Sequence, residues 1–293
     1  MELYPLKVFL TVATEKSFSR AAEKLLRTQP AVSLAVQRLE TALNERLIDR
    51  SGNPLILTDA GRIVVEYARR FENLEAELQN ALDELRDNSS GRLIIGANES
   101  TSLYLLQHIE KYRHLFPKVK VQVRRSLSSK IPAQLIDGDL ELGVISYDPE
   151  DERLLADIIY TDHLAFVVSP QHRFANSTTV SISELGMETF IAHNVLSPYR
   201  EVVIREFQRH KVTLNMDVEM PTVETIRLMV QRNEGVAFLP KMCVEQELEQ
   251  GTLCEVKIHE IQMERKIRLV YPARRALSHA ARAFLEVVKG RPS

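Results

Sequence analysis

Ser17-Phe18-Ser19-Arg20-Ala21-Ala22, followed closely by Thr28-Gln29-Pro30-Ala31-Val32-Ser33, is the stretch that decides how this chain begins to fold. Ser17 reads as the N-cap of a short helix, because its side-chain oxygen can accept an amide N–H left free in the first turn. Phe18, Ala21, Ala22 and Leu25 then form one apolar stripe at helical spacing. Thr28 caps the next helix, and Pro30 is tolerated in its first turn, where a missing N–H costs nothing. The core face of that helix is Val32, Val36, Leu39 and Leu43. Upstream, Leu6, Phe9, Leu10 and Ala13 recur at i, i+3, i+4 and i+7, the stripe of a first helix. Three short amphipathic helices, the last two joined by a tight turn, are expected to pack as a helix-turn-helix around a small triangular core.

The outward face of the third helix follows from about 100° of rotation per residue. Pro30, Leu34, Gln37 and Thr41 lie opposite the core stripe, with Ser33 and Arg38 on its flanks and Gln29 at the N-terminal tip. This small hydrogen-bonding surface has few acids and suits base edges in a major groove. The bland alternative is a solvated helix face, against which the capped short helix and tight turn both count. A net charge of −2 argues against a nucleic-acid binder when the chain is taken whole. By segment, residues 1–62 hold nine Lys/Arg against seven Asp/Glu, whereas residues 63–88 hold three against seven.

The run Ser17 to Ala22, with Leu25, Gln29 to Ser33, Leu39-Glu40, Leu47, Arg50 and Leu57-Thr58-Asp59-Ala60-Gly61, closely resembles the N-terminal domain of LysR-type transcriptional regulators. The match covers nearly all of residues 3–62. It implies a winged helix-turn-helix with its wing over 50–57, Gln29, Pro30 and Ser33 approaching DNA, and Arg50 near the DNA backbone. Asn44 stands where the family usually has Gly, and Asn tolerates the left-handed conformation needed there. Ile48 replaces the usual Phe in the core. Leu34 and Ala35 stand where polar readers are common, which leaves base readout to Gln29, Gln37, Arg38 and a thymine-methyl contact by Leu34. Thr28, at the cap, completes the expected DNA-binding set.

After Thr58 a single helix is expected to run to about Asp87. Val64, Tyr67, Phe71, Leu74, Leu78, Ala81 and Leu85 are spaced alternately three and four, the seam of a coiled coil. The helix lies between a complete small domain and Asn88-Ser89-Ser90-Gly91, which reads as a stop and hinge. It has too little chain of its own to pack on, so the seam is expected to pair two protomers. The resemblance implies the same pairing, and a tetramer built as a dimer of dimers.

From Arg92 the period changes. Arg92-Leu93-Ile94-Ile95-Gly96 reads as a strand, then a helix at about 101–115, a strand at 119–123, a helix near 129–137 and a strand at 140–145. This is the pattern of a parallel sheet with crossover helices. It recurs as a strand at 189–192, a helix near 198–210, a strand near 213–219, a helix at 222–233 and a strand at 235–239. The expected fold class is therefore α/β. A winged helix-turn-helix domain (1–62) and a linker helix with hinge (63–91) precede a two-lobed effector domain (92–293). Lobe I takes in about 92–163 and 266–293, and lobe II about 164–265. The region is similar to the LysR-type effector domain, whose fold is like that of periplasmic binding proteins. Its landmarks here are Phe116-Pro117, the run Gly138 to Val144 and the run Gly235 to Pro240.

Ligand groups are expected where strands lead into helices. Ser100, Thr101 and Ser102 open the first helix of lobe I, Ser128 and Ser129 open the next, and Ser197 and Thr222 open helices of lobe II. Hydroxyls and free N–H groups at positive helix ends suit a small anion. Each is also an ordinary N-cap. Their shared placement around one cleft is what favours a ligand.

The rest of the composition excludes other classes. Over 293 residues, 44% hydrophobic and 27% charged, the chain has a soluble protein's balance and room for about two domains. Its apolar runs, such as Leu164 to Val168, fall far short of the roughly 20 residues that span a bilayer. Met1 to Pro5 does not read as a signal peptide, so the expected compartment is the cytoplasm. Cys243 and Cys254 are too few to staple the chain and read as inert core thiols. The scattered histidines give no metal-ligand spacing, and there is no phosphate loop, nucleophile elbow or GxGxxG, so neither a cofactor nor an enzyme is expected. The expected function is a bacterial regulator that docks double-stranded operator DNA. A small anionic effector in the cleft would reset the protomer arms, changing the DNA bend and the recruitment of RNA polymerase. A cytosolic solute carrier on the same fold is a second class, opposed by the first ninety residues. An enzyme in the cleft is a third, for which no nucleophile–base or metal constellation is visible.

Overall fold

The computed structural model describes residues 3–49, 55–86, 91–195 and 197–290. The chain divides into two compact units, one of residues 1–91 with 136–139 and the other of residues 92–135 and 140–293.

In the N-terminal unit α1 (Leu3–Glu15), α2 (Phe18–Lys24) and α3 (Gln29–Leu43) form the triangular core. Ser17 and Thr28 cap α2 and α3, accepting from Arg20 N at 3.3 Å and Ala31 N at 3.4 Å. The buried face of α1 is wider than its stripe, taking in Val8 and Val12 while Ala13 is only half-buried, because α1 packs against three other helices. On α3, Ala35 turns into the core and Leu43 is only half-buried. Asn44 ends α3 at φ 53°, the left-handed conformation expected of it. Leu26 takes the same conformation in the α2–α3 turn, at φ 53°, with its side chain 89% exposed.

β1 (Ile48–Asp49) and β2 (Ile56–Leu57) pair antiparallel as the base of the wing. Arg50 lies outside the described residues, as do 51–54. α4 (Asp59–Arg86) starts behind Thr58, whose hydroxyl accepts from Gly61 N at 2.9 Å and donates to Arg46 O at 2.6 Å. A Cβ at Gly61 would stand 2.1 Å from the Leu47 carbonyl oxygen, so only glycine lets α4 come this close. Along α4, Val64 is half-buried against its own domain. Tyr67, Phe71, Leu74, Leu78, Ala81 and Leu85 are exposed. The stop at 88–90 lies outside the described residues.

The second unit runs β3 (Gly91–Ala97), α5 (Glu99–Leu115), β4 (Val119–Arg125), a 3-10 turn (Ser128–Lys130), α6 (Ile131–Asp137), β5 (Leu142–Ile145), β6 (Leu154–Val168), β7 (Thr179–Val180), β8 (Thr189–His193) and α7 (Pro198–Arg209). It continues with β9 (Asn215–Met220), α8 (Val223–Gln231), β10 (Ala237–Pro240), α9 (Glu245–Glu249), β11 (Cys254–Ile258), β12 (Glu264–Pro272) and α10 (His279–Val288). In one lobe the strand order is β4-β3-β5-β12-β6, and in the other β10 and β11 pair with the far half of β6. The α/β class holds, and the sheet expected from the parallel pattern is mixed. β3 and β5 are parallel, but β12 runs antiparallel to both β5 and β6.

The reason is how the chain crosses between lobes. β6 pairs with β12 through His163 and with β10 from Leu164 onward, so one strand belongs to both lobes. The second crossing lies beside it, where Leu164 N donates to Met263 O at 2.9 Å. Leu93, Ile95, Leu105, Leu269 and Phe284 build the core of the first lobe around Tyr112, whose buried hydroxyl is satisfied by Ala280 O at 3.0 Å. Phe166, Phe190, Phe207 and Val256 build the second.

Candidate functional site

Two surfaces carry chemistry. On α3, Gln29, Pro30, Leu34, Gln37 and Arg38 are exposed and Ser33 is half-buried, with Thr28 exposed at the cap. Opposite them, Val32, Ala35, Val36 and Leu39 anchor the helix in the core, so the exposed face is held rigidly.

The other surface is a cavity of about 700 Å³ between the lobes of the second unit. Ser100, Ser128, Ser129 and Ser197 lie on its wall. Thr101, Ser102 and Thr222 do not. α5 starts two residues earlier than its expected start at 101, capped by Asn98, and this consumes the hydroxyls behind it. Asn98 and Thr101 form a capping box, in which Thr101 N donates to Asn98 Oδ1 at 2.8 Å and Asn98 N to Thr101 Oγ1 at 3.0 Å. Thr101 is wholly buried and also lies 3.2 Å from Val144 O. The Ser102 hydroxyl bonds back to the carbonyls of Asn98 and Glu99, each at 2.8 Å. Thr222 caps α8, accepting from Thr225 N at 3.2 Å. Ser197 caps α7 in the same way, accepting from Arg200 N at 3.2 Å, yet stays on the cavity wall.

The strongest groups on the wall were absent from the sequence reading. Arg265, 4% exposed, lies at the lobe crossing, its Nη1 2.8 Å from Asp162 Oδ2 and its guanidinium carbon 5.1 Å from the centre of the Tyr199 ring. Glu99, in the first turn of α5, accepts from Val223 N at 3.0 Å, a bond between lobes. Tyr199 makes a second bridge by donating to the Ser146 carbonyl. Asn98 Nδ2 donates to Ser128 Oγ at 2.9 Å, and Tyr147, its phenol pushed up by burial, donates to Ser128 O at 3.0 Å. One signal for Arg265 was present: it alternates with Ile267 and Leu269 on the buried face of β12.

Burial pushes the Cys243 thiol up to about 12, which suppresses the thiolate and with it redox reactivity. Among the described residues no three His, Cys, Asp or Glu side chains gather as metal ligands. No described helix is long and apolar enough to cross a membrane.

A helix presented for a DNA groove, followed by a two-lobed domain enclosing a small-molecule cavity, defines a class of protein that couples DNA binding to a ligand. Residues 3–62 match the bacterial regulatory helix-turn-helix proteins of the lysR family, and residues 86–292 match the LysR substrate binding domain. The chain belongs to the LysR-type transcriptional regulators, and it is a regulator rather than an enzyme. It is 32% identical to the "Probable RuBisCO transcriptional regulator" of Cyanophora paradoxa, covering 98% of this chain and 90% of that one. The protein of that name from Synechocystis is 30% identical over 97% and 84%. Among solved structures, the LysR family regulator CbnR superposes with a TM-score of 0.75 at 16% identity, covering 99% of each chain. The regulatory domain of Synechocystis CcmR, in complex with 2-PG, gives 0.62 at 20% identity, covering 68% of this chain and 96% of that one.

Proposed function

We propose that this regulator reads its operator through Gln29, Pro30, Ser33, Leu34, Gln37 and Arg38, with Thr28 and Arg50 contacting the backbone, and that it senses a small anionic effector between its lobes. The observation that carries the effector reading is the buried Arg265 guanidinium on the wall of the 700 Å³ cavity, 3.4 Å from the Ser100 hydroxyl, on a wall that Ser128, Ser129 and Ser197 also line. That volume lies within the roughly 300–1,000 Å³ of small-molecule sites. CcmR in complex with 2-PG supports a small ligand for a domain of this fold. Thr101, Ser102 and Thr222 then act by holding the helix starts in place. The effector acts only through differential affinity for the two settings of the lobes. It would thereby change the DNA bend and the recruitment of RNA polymerase in the cytoplasm.

The exposed seam of α4 supports pairing of two protomers, and a dimer of dimers on operator DNA. Replacing Phe71 and Leu78 by Glu would bury unpaired charges in that seam. Sedimentation of the double variant is expected to show a smaller assembly with both folded units retained, and an unchanged assembly would refute the pairing. Binding of the full chain to duplex DNA is expected to fall steeply with salt, as phosphate contacts require. A flat salt response would refute the DNA-docking reading.

A further inference from the structure

The cavity between the lobes has two unlike walls. From lobe I it takes Asn98, Glu99, Arg125, Tyr147 and several serines, with Leu127 as the one aliphatic side chain among the described residues on that side. From lobe II it takes Leu164, Val195, Met216, Val223 and Phe238, each half-buried or exposed, so hydrocarbon lies open there. The polar residues that lobe II adds are committed to their neighbours. His193 Nδ1 accepts from Val195 N at 3.0 Å, and Ser197 caps α7. Tyr199 donates to the Ser146 carbonyl, and Arg200 donates to His193 O at 3.0 Å and to Glu219 Oε1 at 2.6 Å.

The apolar wall is also held in place. The Phe238 ring stacks on Phe190, with centroids 5.7 Å apart and planes 10° apart, and tilts against Phe166 at 5.4 Å. Phe166 and Phe190 belong to the core of lobe II, so this surface is fixed by packing. An apolar patch kept open in a groove marks a binding site. Covering it tightens a ligand by up to about fourfold for each methylene buried.

We infer that the effector is amphipathic, with an oxyanion head turned to Arg265 and the lobe I serines and a hydrocarbon body seated on lobe II. A polyhydroxylated or phosphorylated sugar acid does not fit, because its hydroxyls would lose water against Met216 and Phe238 with no partner to replace it. The head rests on the reading of the cleft as an anion site, and the body is the addition. A molecule that meets the two lobes by different chemistry favours the setting in which both walls touch it.

Titration calorimetry of the full chain with propanoate, butanoate, pentanoate and hexanoate tests the body. Each added methylene is expected to tighten binding about two- to fourfold. Gluconate, the hexanoate skeleton hydroxylated along its length, should bind at least about tenfold more weakly than hexanoate. Met216→Gln and Val223→Thr, close in size to the parent side chains, should flatten the series. Val223→Thr keeps the backbone N–H that Glu99 accepts, and so serves if Met216→Gln does not fold. An affinity flat along the series, gluconate as tight as hexanoate, or a series unchanged in a folded variant would overturn the hydrocarbon seat. The two levels separate through hexan-1-ol. Hexan-1-ol as tight as hexanoate removes the anion head and leaves the seat standing, whereas gluconate tighter than hexanoate removes the seat and leaves the anion. No binding of any compound at about 10 mM overturns both.

Discussion

The first turns of α3 and α5 carry similar chemistry and put it to opposite uses. α3 opens with Thr28, Gln29, Pro30 and Ser33, and these groups stay at the surface because the helix packs by its other face alone. α5 opens with Asn98, Glu99, Ser100 and Thr101 between two lobes, and most of its polar groups are spent on its own backbone. In the first set Thr28 caps Ala31 N, while Gln29 and the half-buried Ser33 remain available to a partner. In the other set, Glu99 and Ser100 reach the cavity wall while already engaged, Glu99 by Val223 N and Ser100 by donating to Asn98 Oδ1 at 3.1 Å, beside an arginine brought from more than 160 residues away. A hydroxyl at a helix start is therefore evidence for a ligand only after its capping duty has been assigned.

The contrast can be broken most sharply at Arg265. Arg265→Ala would leave Asp162 charged, buried and unpaired, and is expected to destabilise the second unit by about 3–5 kcal/mol in urea unfolding followed by circular dichroism. Arg38→Ala on the exposed face of α3 should stay within about 0.5 kcal/mol of the parent. Equal costs at the two sites would show that burial does not separate them.

Gln29→Ala and Ser33→Ala are expected to lose about 1–3 kcal/mol of specific operator binding per base contact. Non-specific affinity, set by phosphates, should hold. Unchanged sequence preference in a competition gel shift for both variants would overturn the assignment of α3 as the reading helix.

Thr101→Val turns the comparison around. It removes half of the capping box and the group facing Val144 O, so it should cost about 1–2 kcal/mol of stability while ligand affinity is retained. Weakened ligand binding at parental stability would put Thr101 on the cavity side after all. The smallest effect is expected just ahead of α3. Leu26, exposed and left-handed, replaced by Asn should stabilise the N-terminal unit by about 1 kcal/mol, read as a shift in the unfolding midpoint. No shift would mean that the turn is not strained.

The N-terminal unit was legible because its helices are local and its caps are read from neighbours in sequence. Ser17, Thr28 and Asn44 occupy the roles that their chemistry suggests. The widening of the α1 face to Val8 and Val12 was not legible, since it depends on where α4 packs. β6 escaped notice because Tyr160, Thr161, Asp162 and His163 interrupt its apolar pattern, and they do so where the strand passes from one lobe to the other. Asn98 was overlooked in favour of the three hydroxyls that follow it, although an Asn three residues ahead of a Thr is itself a start signal.

The caps of α2 and α3, the outward face of α3 and the exposed seam of α4 were determined by sequence alone, because each depends on spacing within a single helix or on contacts a few residues apart. The make-up of the cavity was decided by tertiary structure. Asp162 and Arg265 pair across antiparallel strands, Glu99 meets Val223 from the other lobe, and Tyr199 reaches the Ser146 carbonyl. Each of these contacts joins residues more than fifty positions apart, and whether a polar side chain there is spent on its neighbour or left for a ligand depends on which strands lie side by side.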